Sequence, residues 1–593
     1  MKLSDYMVRT LKEVTGNDTV FLLTGGMAMH LDESFGNMMR VIPCHHEQAA
    51  GIAASCYARM KEKPGICCVT AGPGALNAVT PCGGAYLDSI PMIFVSGQVS
   101  RANGRQGHPV RQRGIQEVEI VDVVKSITKY AVRIDDPATV RYHLEKALYL
   151  AVTGRPGPVW LDIPVDVQAA DIDPESQEGF VPPVETNGCA YDVKAVVAAL
   201  LQAKRPMVCF GGGVRLAGAK SLVKPLVDSL GVPFQTSWNG MDLISTDDPL
   251  CFGRANVFGP RYANILMQDA DYVLFIGCRL GIQHTGYNVE AFVRGAHVVM
   301  VDLDVNEMEK PGLHVDDKIV MDAKVFMTQA LACASTLPHA DISGWITKCQ
   351  AIKKRFPIAP SLDEVKDQEF VQPQFFVDRL ASLLPEGAYF PFGSSGMGHT
   401  VTGGIFRCKS NQRVYTFKGL AGMGYGIPCV VAAALAHPDK TAVTLVGEGG
   451  LQLNIQELQT ALTNRLAIKV IVFNNGGYHS IHMTQTSYFH KHFVGSGAES
   501  GVTFPPLPEV ATLYRMQYYQ VHKNQDVGAQ IQAFLNDKQA AFLEVFIDPT
   551  KPLEPKCASM KLPDGRMVSR PIEDMLPLLD REELQKIMDI PLL

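Results

Sequence analysis

One carboxylate in this chain stands between residues that carry no side chains. An apolar strand, TAVTLV (441–446), runs into Gly447-Glu448-Gly449-Gly450, and polar Asn454 and an amphipathic helix follow. Glycines at a strand end let backbone approach a ligand closely. The lone acid requires a positive partner, and a cation gripping a phosphate is the first candidate. The next strand, IKVIVF (468–473), ends in Asn474-Asn475-Gly476-Gly477. The separation is that of one strand–helix–strand unit, about 30 residues. The two strands can therefore lie side by side with both ends on one sheet edge. Carboxylate, amide oxygen and a glycine carbonyl then converge on the edge where open parallel sheets take ligands. That donor set suits Mg2+ or Ca2+. Singly, GEGG reads as a loop and NNGG as a turn; paired, each after an apolar strand, they read as a metal site.

Other residues carry weaker signals. In CHHEQAAGIAASCYARM (44–60), Glu47 is the single acid at the start of a helix of small apolar residues. Such an acid is either a cap and dipole partner or a buried functional carboxylate, and the residues alone leave both open. His45 and His46 lack the i, i+4 spacing of helical zinc ligands, which argues against zinc. Gly211-Gly212-Gly213 follows a strand as a dinucleotide loop would, a weak signal by itself, and no G-x-x-x-x-G-K string is present. DLDVNE (302–307), at another strand end, suits a ribose or adenine contact or, equally, a solvated loop.

The elements that must position these groups alternate between short β-branched strands and helices, the pattern of parallel sheets wrapped by helices. A first block carries TVFLL (19–23), GICCVTA (65–71), PMIFVSG (91–97) and GPVWLDIP (157–164). The Pro- and acid-rich stretch 171–188 reads as a linker. A second block carries RPMVCFGGGV (205–214), DYVLFIGCR (271–279) and HVVMVDLD (297–304). A polar stretch around 350–372 reads as irregular and separates it from a third block, with GAYFPFGSSG (387–396), the two strands above and FLEVFID (542–548). A short helix over 573–588 is expected to end the chain.

Composition narrows the function classes. The 593 residues suit three or four domains, and 47% hydrophobic against 19% charged residues suits large buried cores. With a formal charge of −6 and no Lys/Arg cluster, no nucleic-acid partner is expected. The opening MKLSDYMVRTLKEV reads as an amphipathic helix, not a signal peptide. IPCVVAAALA (427–436) is too short to span a bilayer, so no membrane partner is expected. Scattered cysteines with no C-x-x-C pair suit reduced thiols in a cytoplasmic enzyme.

Taken in order, HHEQAA, TAGPGALNAVT (70–80), AYLDSIPMIFVSGQV (85–99), GRPGPVWLDIPVDVQ (154–168), GLAGMGYGIP (419–428) and GEGG…NNGG resemble the thiamine-diphosphate enzymes of the acetolactate synthase and pyruvate oxidase type. The resemblance covers roughly residues 1–550. It implies an α/β fold of three doubly wound parallel-sheet domains: pyrimidine-binding (1–170), central and Rossmann-like (190–335), and diphosphate-binding (370–550), followed by a C-terminal tail (551–593). By the same resemblance, Glu448, Asn475 and the Gly477 carbonyl hold Mg2+ or another divalent ion on the cofactor's diphosphate, although the family usually has Asp at the position of Glu448. Glu47 matches the acid that binds the pyrimidine nitrogen and favours the imino tautomer, whose aminopyrimidine deprotonates the thiazolium carbon. Met423 matches the apolar residue that keeps the cofactor bent, and Gln116 a residue of the reaction pocket.

Further cofactor contacts implied in the first domain are Gly25, Gly26, Gly72, Pro73 and Asn77. In the third they are Ser395, Gly422, Gly447, Gly449, Gly450 and Ile481. The central domain is similar to one that binds FAD; Gly211, Gly212, Gly213, Thr236 and Gly259 fit that role, as do Arg279, Asp302, Asp304 and Asp322. The family places its catalytic centre between subunits, which implies a homodimer or homotetramer.

Two departures bear on substrate. Gln283 stands where acetolactate synthases carry an Arg for the second oxoacid's carboxylate, and Thr484 stands where they carry an acceptor-selecting Trp. Gln cannot replace a bidentate Arg–carboxylate contact. HHEQ, RQRGIQE, ITKYAV and LPDGRMVSRPIEDMLPLLDREE further resemble carboligases of bacterial surface-polysaccharide clusters, such as the yersiniose-pathway flavoenzyme. The expected reaction is decarboxylation of a 2-oxo acid, pyruvate first, with ligation of the two-carbon unit to a carbonyl acceptor such as a nucleotide-linked keto-sugar. The alternatives are an acetolactate synthase, a simple decarboxylase and a non-catalytic regulatory paralogue; intact Glu47, Glu448 and Asn475 argue against the last.

Overall fold

The computed structural model describes residues 1–593 except 185–190, 395, 562–563 and 565. Its strands are short and almost wholly apolar where parallel sheets are covered on both faces. The first domain holds β1 (Thr19–Leu22), β2 (Arg40–Pro43), β3 (Gly65–Val69), β4 (Met92–Gln98), β5 (Tyr130–Arg133) and β6 (Pro158–Pro164). They form one parallel sheet in the order β2-β1-β3-β4-β6-β5. The central domain holds β7 (Pro206–Phe210), β8 (Phe234–Thr236), β9 (Tyr272–Ile276), β10 (His297–Asp302) and β11 (Asp317–Val320), ordered β11-β10-β9-β7-β8. The third domain holds β12 (Tyr389–Phe392), β13 (Arg413–Thr416), β14 (Val443–Gly447), β15 (Lys469–Asn474), β16 (Gln517–Val521) and β17 (Ala541–Phe546).

In the third domain the run β14-β15-β17-β16 joins the β12-β13 pair through a Tyr389–Ala442 bridge. Numbered within its own domain, this sheet repeats the strand order of the first. Helix Glu47–Lys61 follows β2, and helix Gly426–Ala436 follows β13, the strand equivalent to β2. These two helices pack on each other. Both are buried nearly all round and rich in Ala, as a helix enclosed on every side must be. The Cys56 thiol donates to the Cys429 carbonyl at 3.1 Å and accepts from the Tyr415 hydroxyl at 2.7 Å.

Two sequence expectations are corrected. The stretch 350–372 is not irregular throughout: helix Ser343–Arg355 runs into it, with Trp345, Cys349 and Ile352 turned inward at helical spacing. The final helix covers only Arg581–Ile587, because Pro577 interrupts the pattern and Met575–Leu576 pairs with Lys556–Cys557 as a strand. The C-terminal tail packs on the central domain. Leu584, Ile587, Met588 and Ile590 enter the central domain's core, and Arg261 donates to the carbonyls of Met575 (3.2 Å) and Pro577 (2.5 Å). The linker reading of 171–188 lies partly outside the described residues. No helix among those described is long and apolar enough to cross a membrane.

Asp162, buried on β6, accepts from Ser96 Oγ at 2.5 Å and from Gln98 Nε2 at 3.0 Å. Burial outweighs these bonds and pushes its carboxyl up to about 7. The folded chain thus keeps a proton that the unfolded chain releases near pH 3.8. Stability from this group is present below the unfolded value and lost as pH rises through the folded one. Between about pH 5 and about pH 8 the urea midpoint of Asp162→Asn should fall less than that of the wild type; equal falls would refute the assignment.

Candidate active site

The first domain gathers a set of candidate residues around Glu47. This residue opens its helix, preceded by His46, whose ring nitrogen caps the helix by accepting from Gln48 N. Its carboxylate is buried, with Oε2 accepting from Asn77 Nδ2 at 2.9 Å. Gly74 lies so close that a Cβ there would come within 3.2 Å of Oε1. Gly72, at φ +62°, abuts Gln116, and a Cβ on it would fall 2.4 Å from the Gln116 carbonyl oxygen. Gly72 thus caps the short helix Pro73–Asn77, which meets Glu47 through Asn77, and sits against Gln116. Gly25 packs against Thr70 in the same domain, while Gly26 faces open space.

The third domain builds the other half on the adjacent parallel ends of β14 and β15. Glu448 starts a short helix after Gly447 and lays its carboxylate on the NNGG turn, accepting from Asn475 N at 2.9 Å and Gly476 N at 3.2 Å. Asn475 Oδ1 accepts from Gly477 N at 3.3 Å, so all three expected metal-binding residues lie together. Met423 reaches the same place, with its terminal carbon 3.2 Å from where a Cβ on Gly449 would sit. Met423 and Ile481 are both exposed. Gly422 packs against Tyr425, Gly450 is buried in the helix opened by Glu448, and Ser395 lies outside the described residues. Within one chain the two halves meet through neighbours: Asn454 Nδ2 donates to Gln48 Oε1 at 3.2 Å, and His45 N to Glu457 Oε1 at 3.0 Å.

The Glu448 carboxyl can be tested for fit to a cation. Burial pushes it up to about 7, and the neighbouring Glu544 carboxylate repels it. No cationic side chain pairs with either acid among the described residues. A buried carboxylate with a like-charged neighbour and no cation is what a divalent ion would neutralise. Each carboxylate oxygen retains a lone pair beyond the backbone amide it accepts, so the residues fit.

Three further polar residues position this turn: Asn474 belongs to the NNGG motif, whereas Glu544 and Tyr518 carry no motif. Asn474 Nδ2 donates to Glu544 Oε1 at 2.6 Å, Asn474 Oδ1 accepts from Gly476 N at 3.1 Å, and the Tyr518 hydroxyl donates to Glu544 Oε2 at 2.5 Å. A cavity of about 290 Å³ lies beside them, walled by Glu448, Glu544 and Phe504 among others.

The central-domain candidates are less uniform. Gly211 and Gly213 press against Gly277, where a Cβ would meet backbone at 2.0 and 2.8 Å; Gly212 neighbours Asn239. Thr236 is buried, and a Cβ on Gly259 would meet the Arg254 carbonyl oxygen at 2.5 Å. Asp304 caps a helical turn and pairs with Arg155 at 3.1 Å, Asp302 Oδ1 accepts from Asp304 N, and Asp322 caps helix Ala323–Ala334. Arg279 Nη1 donates to the Leu87 carbonyl of the first domain at 2.6 Å. Of the two positions expected on the acceptor side, Gln283 has a buried Oε1 without a partner among the described residues, and Thr484, exposed, bonds back to the Ser480 carbonyl.

Family models agree with this division. The N-terminal TPP binding domain of thiamine pyrophosphate enzymes matches residues 1–123, their central domain 193–330, and their C-terminal TPP binding domain 394–545. A probable acetolactate synthase large subunit of Methanocaldococcus jannaschii is 28% identical over 100% of this chain and 99% of its own. The acetolactate synthase large subunit of Corynebacterium glutamicum is 31% identical over 82% and 76%. The chloroplastic acetolactate synthase of Arabidopsis thaliana is 29% identical over 92% and 81%.

Proposed function

The chain belongs to the thiamine pyrophosphate enzymes, and from that premise we propose that it decarboxylates a 2-oxo acid, pyruvate first, and joins the two-carbon unit to a neutral carbonyl acceptor. The observation that supports this reading is the placement of the expected site residues: Glu47 meets Asn77, and Glu448 lies on the Asn475–Gly477 turn. Bound thiamine pyrophosphate (diphosphate) supplies the nucleophilic carbon and the electron sink. Glu448, Asn475 and the Gly477 carbonyl would hold Mg2+ against its diphosphate. Glu47 would hold a proton at Oε1, the oxygen that Asn77 leaves free. Met423 would support the cofactor's bend, and Gln116 with Gly72 would wall the pocket.

A neutral acceptor is favoured by Gln283 and Thr484. Losing a charge-assisted contact to a carboxylate costs about 1.5–3 kcal/mol, roughly tenfold to a hundredfold, so a second pyruvate should compete poorly with an aldehyde or a nucleotide-linked keto-sugar. Mass spectrometry of products from pyruvate alone, and from pyruvate with such acceptors, tests this. Efficient acetolactate formation from pyruvate alone would return the chain to the acetolactate synthases, and free aldehyde without ligation would indicate a simple decarboxylase.

A shared site between two subunits is supported by apolar side chains left exposed in both halves: Leu76, Ile115, Met423 and Ile481. Mixing inactive Glu47→Gln with inactive Glu448→Ala under exchange conditions should then restore activity, because a mixed dimer contains one unmutated site. Mixed dimers without activity would place each site within one chain. The central domain is read as an adenine-nucleotide site, with FAD favoured; a colourless purified protein that takes up no added FAD would remove the flavin.

A further inference from the structure

All three domains meet where helix Val79–Leu87 ends. Arg279, just beyond β9 of the central domain, donates to the Leu87 carbonyl at 2.6 Å. Gly419 of the third domain donates from its backbone N to Asp88 Oδ1 at 2.9 Å, which brings the preceding residue, Lys418, to the same junction. Lys418 is partly buried, and its ammonium lies 4.5 Å from the centre of the Trp238 ring.

Among the described residues no acid is left for Lys418. The carboxylate whose charge reaches it, Asp88, is held by Arg59 at 3.0 Å as well as by Gly419 N. Among the described residues Lys418 forms neither a hydrogen bond nor an ion pair. Burial first, then repulsion from Arg279, pushes its ammonium down to about 7. Trp238 is 2% exposed, and its indole Nε1 is buried without an acceptor among the described residues. A cationic pair beside an unsatisfied N–H donor is incomplete by itself and complementary to an anion.

We propose that Lys418 and Arg279 together bind the phosphate-bearing part of a nucleotide seated at the carboxyl edge of the central sheet, so that the third domain takes part in holding the central domain's ligand. Phosphate is favoured over carboxylate by position: Arg279 lies just beyond β9 and Asp302 ends the neighbouring β10, at the edge where open parallel sheets take nucleotides. The assignment rests on the reading of the central domain as a nucleotide site.

The test uses the full chain saturated with thiamine diphosphate and Mg2+, so that added ADP has no access to the cofactor site. Calorimetric titration with ADP should show binding that weakens with salt. Lys418→Met should lower the ADP affinity about tenfold to a hundredfold, leave adenosine affinity unchanged, and give a ligand-free melting temperature no lower than wild type. Lys418→Arg should recover most of the ADP affinity. Folded Lys418→Met that binds ADP as wild type does would overturn the role of Lys418 while leaving the nucleotide reading intact. A loss confined to FAD, with ADP unaffected, would overturn the phosphate assignment. Wild-type protein that binds neither ADP nor FAD would remove both readings.

Discussion

Glu448→Ala is expected to reduce Mg2+-dependent binding of thiamine diphosphate by more than about a hundredfold, while the chain remains folded. Loss of a group that only orients a metal ligand costs up to about a hundredfold, and Glu448 combines two roles. It would contact the ion, and its carboxylate orders the turn that carries Asn475 and Gly477 through two backbone amides. Glu448→Gln separates these roles, because it preserves an acceptor for one amide but removes the charge. Glu448→Asp preserves the charge with a shorter reach and should recover most of the affinity. Calorimetry with the cofactor at fixed Mg2+, alongside circular dichroism, reads all three variants. Unchanged affinity in Glu448→Ala would assign the acid to the turn alone.

Glu47→Gln should bind the cofactor nearly as tightly as wild type yet turn over about 10² to 10⁴ times more slowly, the usual size of a lost general acid–base contribution. Affinity is spared because the diphosphate grip lies in the other domain. The amide would retain the Asn77 contact through its oxygen, so packing changes little and the missing proton carries the effect. Hydrogen–deuterium exchange at the thiazolium carbon provides the direct readout. Exchange at the wild-type rate would leave Glu47 as a helix-start residue and nothing more.

What could be read from the residues followed the strength of local patterns. The long apolar strands β3, β4, β9, β14 and β15 are legible because both sheet faces are covered and nearly every residue in them is apolar. Edge strands are not: β11 (DKIV) is exposed at three of its four positions, and β16 (QYYQV) buries only its last residue fully. GEGG and NNGG identify the turn, but their chemistry depends on which backbone amides face the carboxylate, and that is a property of the folded turn. Lys418 and Glu544 lie in no motif, and Arg155 lies in GRPGPVWLDIPVDVQ without its partner being visible there. Their meaning comes from partners on distant segments: Asp304 for Arg155, Arg279 for Lys418, and Asn474 with Tyr518 for Glu544.

The packing of helix Glu47–Lys61 on helix Gly426–Ala436 limits how these domains can diverge. The two helices occupy equivalent places in sheets of equal strand order, so each serves as the other's floor, much as the two copies of a surface do in a symmetric dimer. Ordinarily an enlarged side chain on one face can be accommodated by a smaller one opposite. Here that exchange is narrow, because both helices are buried nearly all round and built largely of Ala, already near the minimum size. Variation at this seam is therefore confined to residues no larger than those present. The loops that begin each helix, which carry Glu47 on one side and Met423 on the other, inherit a fixed spacing while the outer strands and the acceptor side are free to change.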